Sequence, residues 1–100
     1  MRLATVRTTN GTRAVRLDGE HHVDLGFSDV GALLAHPDWR HRAAASDGAR
    51  TPASDADFGP VVVRPTKILC VGHNYSNHIR EMGREMPSFP TLFAKFAESL

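Results

Sequence analysis

The feature that most constrains the fold is an Asn-Gly pair, Asn10-Gly11, between two short segments with the composition of β-strands. Both residues tolerate a positive φ, and such a pair between strand-like segments is the strongest short-range indication of a β-hairpin. Tight turns at this pair and at Gly19 separate three strand-like segments, residues 2–9, 12–18 and 20–26. Tight turns join neighbouring strands in opposite directions, so this pattern predicts a small antiparallel sheet.

Two short helices are predicted to follow the sheet. The first covers residues 28–36, where Ser28 is placed to cap the free amide groups of the first turn. Pro37 ends that helix and takes a tolerated first position in the second, which covers residues 37–45. The next segment, SDGARTPASDAD at residues 46–57, is polar and rich in turn-forming residues, and we interpret it as an exposed linker.

The character of the sequence changes at Phe58, where apolar runs begin. The run ILCV at residues 68–71 shows no polar alternation, which is typical of a strand covered on both faces. A helix over about residues 75–84 and a strand over 91–96 are predicted after it. We therefore predict an α+β fold in which residues 1–57 form a small N-terminal domain with a linker. Residues 58–100 then begin a second, β-rich domain that needs further polypeptide to cover its strand.

Charge and composition exclude several classes of function. The net charge is +1 with scattered arginines, which argues against a nucleic acid or an anionic membrane as a partner. No apolar run approaches the roughly 20 residues that span a bilayer. The single cysteine, Cys70, excludes an intrachain disulfide and is typical of a reducing compartment, so we predict a cytoplasmic location.

His78 and Glu81 are the most informative polar pair in the sequence. Residues three apart on a helix share a face with Cβ atoms roughly 5–6 Å apart, so these side chains can meet. A carboxylate beside an imidazole selects its tautomer and stabilises its protonated form, and such a pair can take a proton from water. A surface pair or a helix cap has the same spacing, so the spacing alone does not indicate catalysis.

A longer motif surrounds this pair. The segment KILCVGHNYSNHIREMGREMPSFPTLFAKF, within residues 66–97, closely resembles the fumarylacetoacetate hydrolase (FAH) family. In that family a buried strand ends in a V-G-x-N-Y-x-x-H-x-x-E-M segment, and an L-F-x-K-F-like strand follows. Residues 1–60 more loosely resemble the small N-terminal domain of many bacterial members, in phrases such as RLATVR, DVGALLA and FGPVVVRP. The resemblance implies that residues 58–100 begin an FAH-type catalytic domain.

The family resemblance also implies roles for five residues. His78 is expected to be the general base and Glu81 its orienting partner, on a lid-like segment that folds over the substrate and activates a water. Lys95 is expected near the site, where it stabilises negative charge. His73 occupies a position that is often Arg in acylpyruvate-cleaving relatives, where it contacts the substrate carboxylate. Tyr75 either packs under the lid or donates a hydrogen bond to the substrate.

The same resemblance implies a divalent cation, Mg²⁺ or Mn²⁺, that binds the oxygens of an oxo-acid substrate. Family members hold it with a Glu-x-Glu pair and a later Asp, and this sequence contains no Glu-x-Glu. Hard cations need several oxygen ligands. We therefore predict no metal ligand in these residues, expect the ligands downstream, and interpret the chain as the first portion of a longer, homodimeric protein.

The predicted function is that of an FAH-type enzyme acting on acylpyruvate-like, β-diketo or oxo-acid substrates. Cation-bound enolate chemistry supports hydrolysis of a carbon–carbon bond, decarboxylation or isomerisation, and the fold does not choose among them. The 100 residues alone are expected to be inactive. The alternative is a non-catalytic module that retains the N-terminal fold for assembly or binding.

Overall fold

The computed structural model describes residues 1–75, 80–83, 85 and 87–99. The chain divides into two compact units, Met1–Arg64 and Pro65–Leu100. In the first unit lie strands β1 (Arg2–Thr8), β2 (Gly11–Asp18), β3 (His21–Asp24), β4 (Arg50–Pro52) and β5 (Asp57–Phe58), with helices α1 (Val30–Leu34) and α2 (Trp39–Ala45). The second unit contains strands β6 (Ile68–Gly72) and β7 (Thr91–Lys95). Two short 3₁₀ helices, Ala53–Asp55 and Ala97–Ser99, complete the described elements.

The predicted hairpin forms, with a loop that differs from the expected one. Thr8 pairs with Gly11, so Thr9 and Asn10 occupy the tip of the loop. Gly11 has a φ of 112°, whereas Asn10 does not adopt a positive φ. A type I turn followed by a glycine with positive φ has this pattern, and the glycine then forms a bulge at the start of the second strand. The Asn-Gly pair therefore fixes the hairpin through its glycine alone.

The first unit is built on one antiparallel sheet in the order β4-β3-β2-β1-β5. Its two edge strands are joined by a connection that runs only from Pro52 to Asp57 and contains a 3₁₀ turn. Five residues span at most about 18 Å when fully extended, and a 3₁₀ turn rises only about 2 Å per residue. A flat sheet would hold its edge strands about 19 Å apart. The sheet is therefore curled, and its edges approach each other.

The curl gives the sheet two buried faces. Ala4, Thr5 and Val6 are consecutive in β1 and all buried, although successive side chains in a strand point to opposite faces. One face packs against the helices in a cluster of Ala14, Leu25, Val30, Leu33 and Ala43. The other face lies inside the curl and is formed by Ala4, Val6 and Val15, with Ala56 packed against them. Two-sided burial explains why β1 lacks the strict apolar and polar alternation of a surface strand.

The helices form where predicted, but the first begins later and uses a different cap. Asp29, rather than Ser28, is the N-cap of α1, and its carboxylate accepts a hydrogen bond from the Ala32 amide at 2.9 Å. Ser28 instead donates to the Asp29 carboxylate at 3.3 Å. Asp38, after Pro37, is the N-cap of α2. At Asp29 a carboxylate takes the place of the predicted serine hydroxyl and adds a charge that the helix dipole favours, whereas the Asp38 carboxylate makes no capping hydrogen bond and accepts from the Arg42 guanidinium.

Residues 46–57, interpreted from their composition as a linker, supply both edges of the sheet in the structure. Arg50–Pro52 pairs with β3, and Asp57–Phe58 pairs with β1. The first compact unit continues to Arg64, and the Thr5 hydroxyl donates to the Val61 carbonyl oxygen at 2.8 Å within it. That residues 1–57 and 58–100 belong to a small domain and a catalytic domain stays a prediction.

In the second unit, β6 and β7 form a two-stranded antiparallel ribbon, with Gly72 opposite Thr91 at one end and Ile68 opposite Lys95 at the other. Leu69 and Val71 are 73% and 49% exposed. The β6 strand therefore has the predicted apolar character. Within the described residues, however, it is not covered on both faces as predicted. The antiparallel strands and short helices confirm the predicted α+β class. Among the described residues, no helix has the length and apolarity that crossing a membrane requires.

Candidate functional site

His78, the predicted general base, belongs to residues 76–79, which lie outside the described residues. Its predicted partner Glu81 is described and lies with Arg80 in a short helical turn. The Gly83 amide donates to the Arg80 carbonyl oxygen at 3.0 Å, and Gly83 has a φ of 65°, so the turn closes at that glycine. Glu81 is exposed. The pairing of these two side chains stays a prediction.

His73 follows β6 directly and has an unusual backbone conformation. Its φ is 54°, in the left-handed region, and among the described residues no other non-glycine residue has a positive φ. Histidine enters this region more readily than β-branched residues do. The chain therefore leaves the ribbon at His73, whose side chain is exposed. Residues with unfavourable backbone conformations cluster at functional sites, and the role of His73 in binding stays a prediction.

The segment from His73 to Pro90 leaves the ribbon and returns to it at the same pair of residues. Gly72, before the segment, lies opposite Thr91, which follows it. A Cβ at Gly72 would lie 3.4 Å from the Thr91 methyl carbon, at ordinary contact distance, so the two strands lie side by side at this base. Tyr75 and Glu81 thus belong to one loop closed at its base. Tyr75 is 75% exposed and is not packed in a core in the described residues.

Lys95 lies at the other end of the ribbon. It pairs with Ile68, four residues along β7 from Thr91, a separation of about 13 Å along a strand. Alternation along β7 places Lys95 on the same face as Thr91, which lies beside the start of the loop. The ribbon therefore brings His73 and Tyr75 to one end and Lys95 to the other. Their roles in binding substrate stay predictions.

The described residues do not fit a divalent cation. Within residues 1–75, 80–83, 85 and 87–99, no three His, Cys, Asp or Glu side chains are grouped closely enough to hold a metal ion. Cations such as Mg²⁺ need several oxygen ligands in such a group. No catalytic step through a metal can be derived from this part of the chain.

A concave surface occurs in the first unit, away from the residues of the sequence motif. An open groove of about 560 Å³ is lined by Glu20, His21, Pro52, Ala53 and Ser54. His21 is exposed at this groove, whereas His22 is buried, as expected for neighbours in a strand. The buried Nδ1 atom of His22 has no hydrogen-bond partner among the described residues. The groove lies in a different compact unit from the predicted site residues.

Comparisons with known proteins identify relatives of the chain. No family model matches it. The mitochondrial oxaloacetate tautomerase FAHD2A of Bos taurus is 41% identical over 59 residues, which are 59% of this chain and 19% of that protein. The human protein of the same name has the same identity and coverage. The fumarylacetoacetate hydrolase domain-containing protein 2 of Pongo abelii is 39% identical over 59 residues, again 59% of this chain and 19% of the relative.

The chain thus spans 19% of the length of these curated relatives. The relatives include proteins named for the fumarylacetoacetate hydrolase domain, the family that the sequence motif had indicated. The resemblance is confirmed: over 59% of its length the chain is similar to proteins named for the fumarylacetoacetate hydrolase domain or as oxaloacetate tautomerases.

Proposed function

We propose that the protein is an FAH-type enzyme that interconverts the keto and enol forms of an oxo acid. The observation that carries the proposal is the 41% identity to two proteins named oxaloacetate tautomerase. Oxaloacetate belongs to the oxo-acid substrates that the sequence motif implies. Among the three reactions considered for this family, the names of these relatives favour isomerisation over hydrolysis and decarboxylation.

The reaction needs a group that moves one proton between carbon and oxygen. In the proposed mechanism, His78 removes a proton from the carbon beside the oxo group, and a proton is returned to the oxo oxygen to give the enol. Glu81 orients the imidazole and stabilises its protonated form. No water is consumed and no carbon–carbon bond breaks. An enzyme of this kind therefore need not admit an attacking water, in contrast to a hydrolase.

The substrate carries negative charge, and the proposed binding groups are His73 and Lys95, with Tyr75 as a hydrogen-bond donor. The support is positional. His73 and Tyr75 follow the end of β6 at Gly72, which lies opposite Thr91, and Lys95 lies about 13 Å from Thr91 along β7, on the same face as Thr91. The long side chain of Lys95 can lean along the ribbon toward that base. We assign His73 and Lys95 to opposite ends of the substrate.

We also propose that the active protein is a homodimer that binds Mg²⁺ or Mn²⁺ through ligands outside these 100 residues. Such a cation, when bound, would polarise the oxo group and stabilise the enolate. The cytoplasmic location stays a prediction, whereas the relatives from Bos taurus and Homo sapiens are named as mitochondrial proteins. Analytical ultracentrifugation of the full-length protein, with and without a chelator, tests the dimer and its dependence on a cation.

The reaction is tested by following three substrates with the full-length protein. Enol oxaloacetate reports tautomerisation through its ultraviolet absorbance, an acylpyruvate reports hydrolysis, and release of carbon dioxide from oxaloacetate reports decarboxylation. We expect the tautomerisation to be accelerated most. A faster hydrolysis or decarboxylation would contradict the proposed reaction. No acceleration of any of the three would instead favour the non-catalytic module.

A further inference from the structure

We propose that Asn10 is a site of spontaneous covalent modification, at which its side-chain amide is converted through a cyclic imide to aspartate and isoaspartate. The inference is independent of the proposed function. It rests on the hairpin tip, which the enzymatic account does not use. The substrate of the reaction is the chain itself, and water is the co-reactant.

The chemistry requires that the next residue be sterically open. The Gly11 backbone nitrogen attacks the Asn10 Cγ atom and loses its proton, and the bond from Cγ to the amide nitrogen breaks as ammonia leaves. Water then opens the five-membered ring at either carbonyl. One opening gives aspartate, and the other gives isoaspartate, in which the main chain runs through the side-chain carbon. Atoms balance with one water consumed and one ammonia released, and nothing is oxidised or reduced.

The structure leaves this site accessible. Asn10 and Gly11 are both exposed, at the two-residue tip of the hairpin. A Cβ built at Gly11 would meet no atom within 4 Å, so open space surrounds the attacking residue. The Asn10 side-chain amide makes no hydrogen bond within the described residues. Glycine also lacks the side chain that would hinder approach to Cγ and can adopt the backbone angles that ring closure needs.

Thr8 opposes the reaction by holding the loop. Its hydroxyl donates to the Gly11 carbonyl oxygen at 3.0 Å and accepts from the backbone N–H of Asn10 at 3.2 Å. These two hydrogen bonds restrain the main chain on both sides of the Cα–C bond of Asn10, which must rotate for the ring to close. The rate of modification is therefore set by the strength of this restraint as well as by the Asn-Gly sequence.

The consequence of the reaction falls on the central hairpin of the first unit. Either product adds a negative charge and removes the net charge of +1. Isoaspartate also lengthens the main chain by one carbon at the loop, where Thr8 must lie opposite Gly11 to keep β1 and β2 in register. The modified protein should therefore unfold more readily than the unmodified one.

The test is incubation of the full-length protein in mildly alkaline buffer, followed by tryptic digestion and mass spectrometry. Cleavage after Arg7 and Arg13 isolates Asn10 in peptide 8–13. Asn74, which precedes Tyr75, shares peptide 68–80 with Asn77, so fragment-ion spectra must assign any change in that peptide to one of the two, and Asn74 is the internal control. We expect peptide 8–13 to gain the mass difference of amide to acid and to separate into two isomers. The conversion should be about tenfold faster than at Asn74 or more, since tyrosine hinders the attack.

Two variants make the result decisive. Asn10→Ser should abolish the mass change in peptide 8–13, and Thr8→Val should accelerate it by removing both restraining hydrogen bonds. Conversion at Asn10 no faster than at Asn74 would overturn the proposal. An unchanged rate in Thr8→Val, with the variant shown by circular dichroism to be folded, would overturn the role of Thr8. None of these outcomes depends on enzymatic activity.

Discussion

At the scale of single residues, Thr5 holds three parts of the first unit together. It is fully buried, its hydroxyl donates to the Val61 carbonyl oxygen at 2.8 Å, and it accepts from the Val30 amide at 3.1 Å. This one hydroxyl thereby joins β1 to the start of α1 and to the segment after β5. A buried polar group that loses its partner is destabilising by about 1–3 kcal/mol.

Thr5→Val is therefore expected to lower the free energy of unfolding by about 3 kcal/mol, since it leaves one amide and one carbonyl without partners. Thr5→Ser is the matched control, because it retains the hydroxyl and loses a methyl group worth about 1 kcal/mol. Urea unfolding followed by circular dichroism measures both. Equal stability of the two variants would show that the hydroxyl does not carry these bonds.

Gly48 is a second residue with a specific requirement. A Cβ added there would overlap the carbonyl oxygen of Asp24, a backbone atom of β3 that also accepts from the Ser46 hydroxyl. Because backbone must move, we expect Gly48→Ala to destabilise the first unit by about 3 kcal/mol. Gly59→Ala is the control, since its Cβ would meet the nearest atom only at 3.7 Å. Thermal unfolding of both variants should separate them, and a similar melting temperature would contradict the close approach.

At the scale of elements, Arg16 connects the sheet to the end of α2. Its side chain is 17% exposed, and its guanidinium donates to the carbonyl oxygens of Ala43, Ala44 and Ser46. The last carbonyls of a helix have no partner within the helix, and the dipole favours a cation there. A residue of β2 thus completes the C-terminus of a helix 27 or more positions further along the chain.

We expect Arg16→Met to lower the free energy of unfolding by about 2 kcal/mol, because charged hydrogen bonds to those carbonyls are lost. Arg13→Met is the matched control on the same strand. Arg13 is half exposed and forms an ion pair with Asp24 at 3.6 Å, and such surface pairs contribute at most about 1 kcal/mol. Denaturant unfolding of the two variants compares them directly. A larger effect at Arg13 would contradict the assignment.

The start of α2 should depend on pH. The hydrogen bond from the Arg42 guanidinium, at 2.7 Å, lowers the pKa of Asp38 below its ordinary value. A carboxyl with a lowered pKa in the folded state contributes stability above its ordinary pKa, and this contribution is lost as pH falls through the folded value. Asp38 is exposed at the surface, so salt should weaken the contribution.

The stability of the wild type should therefore fall more than that of Asp38→Asn when the pH is lowered below the ordinary pKa of aspartate. Unfolding curves at neutral and acidic pH, at low and high salt, measure the difference. Parallel loss of stability in the two proteins at low salt would contradict a stabilising Asp38–Arg42 pair.

Local sequence predicted the elements whose signals are local. The glycine of the Asn-Gly pair placed the first hairpin, and a capping residue followed by an apolar stripe placed α1. The edge strands Arg50–Pro52 and Asp57–Phe58 were not predicted, because they are short, polar and contain or adjoin turn-forming residues. They are strands through pairing with β3 and β1, which lie far away in the sequence. Composition therefore indicated a linker in a segment that contributes the two edge strands of the sheet.

At the scale of the whole molecule, the sequence predicted the family resemblance but not the relative positions of all the candidate site residues. An ordered motif of some 30 residues indicated FAH-type proteins, and the relatives agree. The ribbon places His73, Tyr75 and Lys95 on a shared scaffold, but sequence spacing could not show that Lys95 lies at the opposite end from the other two. That separation follows from strand register, which depends on the pairing partner rather than on the motif.

The central claim, that His78 performs proton transfer on an oxo acid, is tested most directly by the turnover of enol oxaloacetate by full-length His78→Ala. His41→Ala is the control, since His41 is an exposed residue of α2. Loss of a general base typically lowers the rate by 10²–10⁴-fold, so we predict a decrease of about that size for His78→Ala and none for His41→Ala. A His78→Ala protein that is folded and turns over substrate at the wild-type rate would contradict the account.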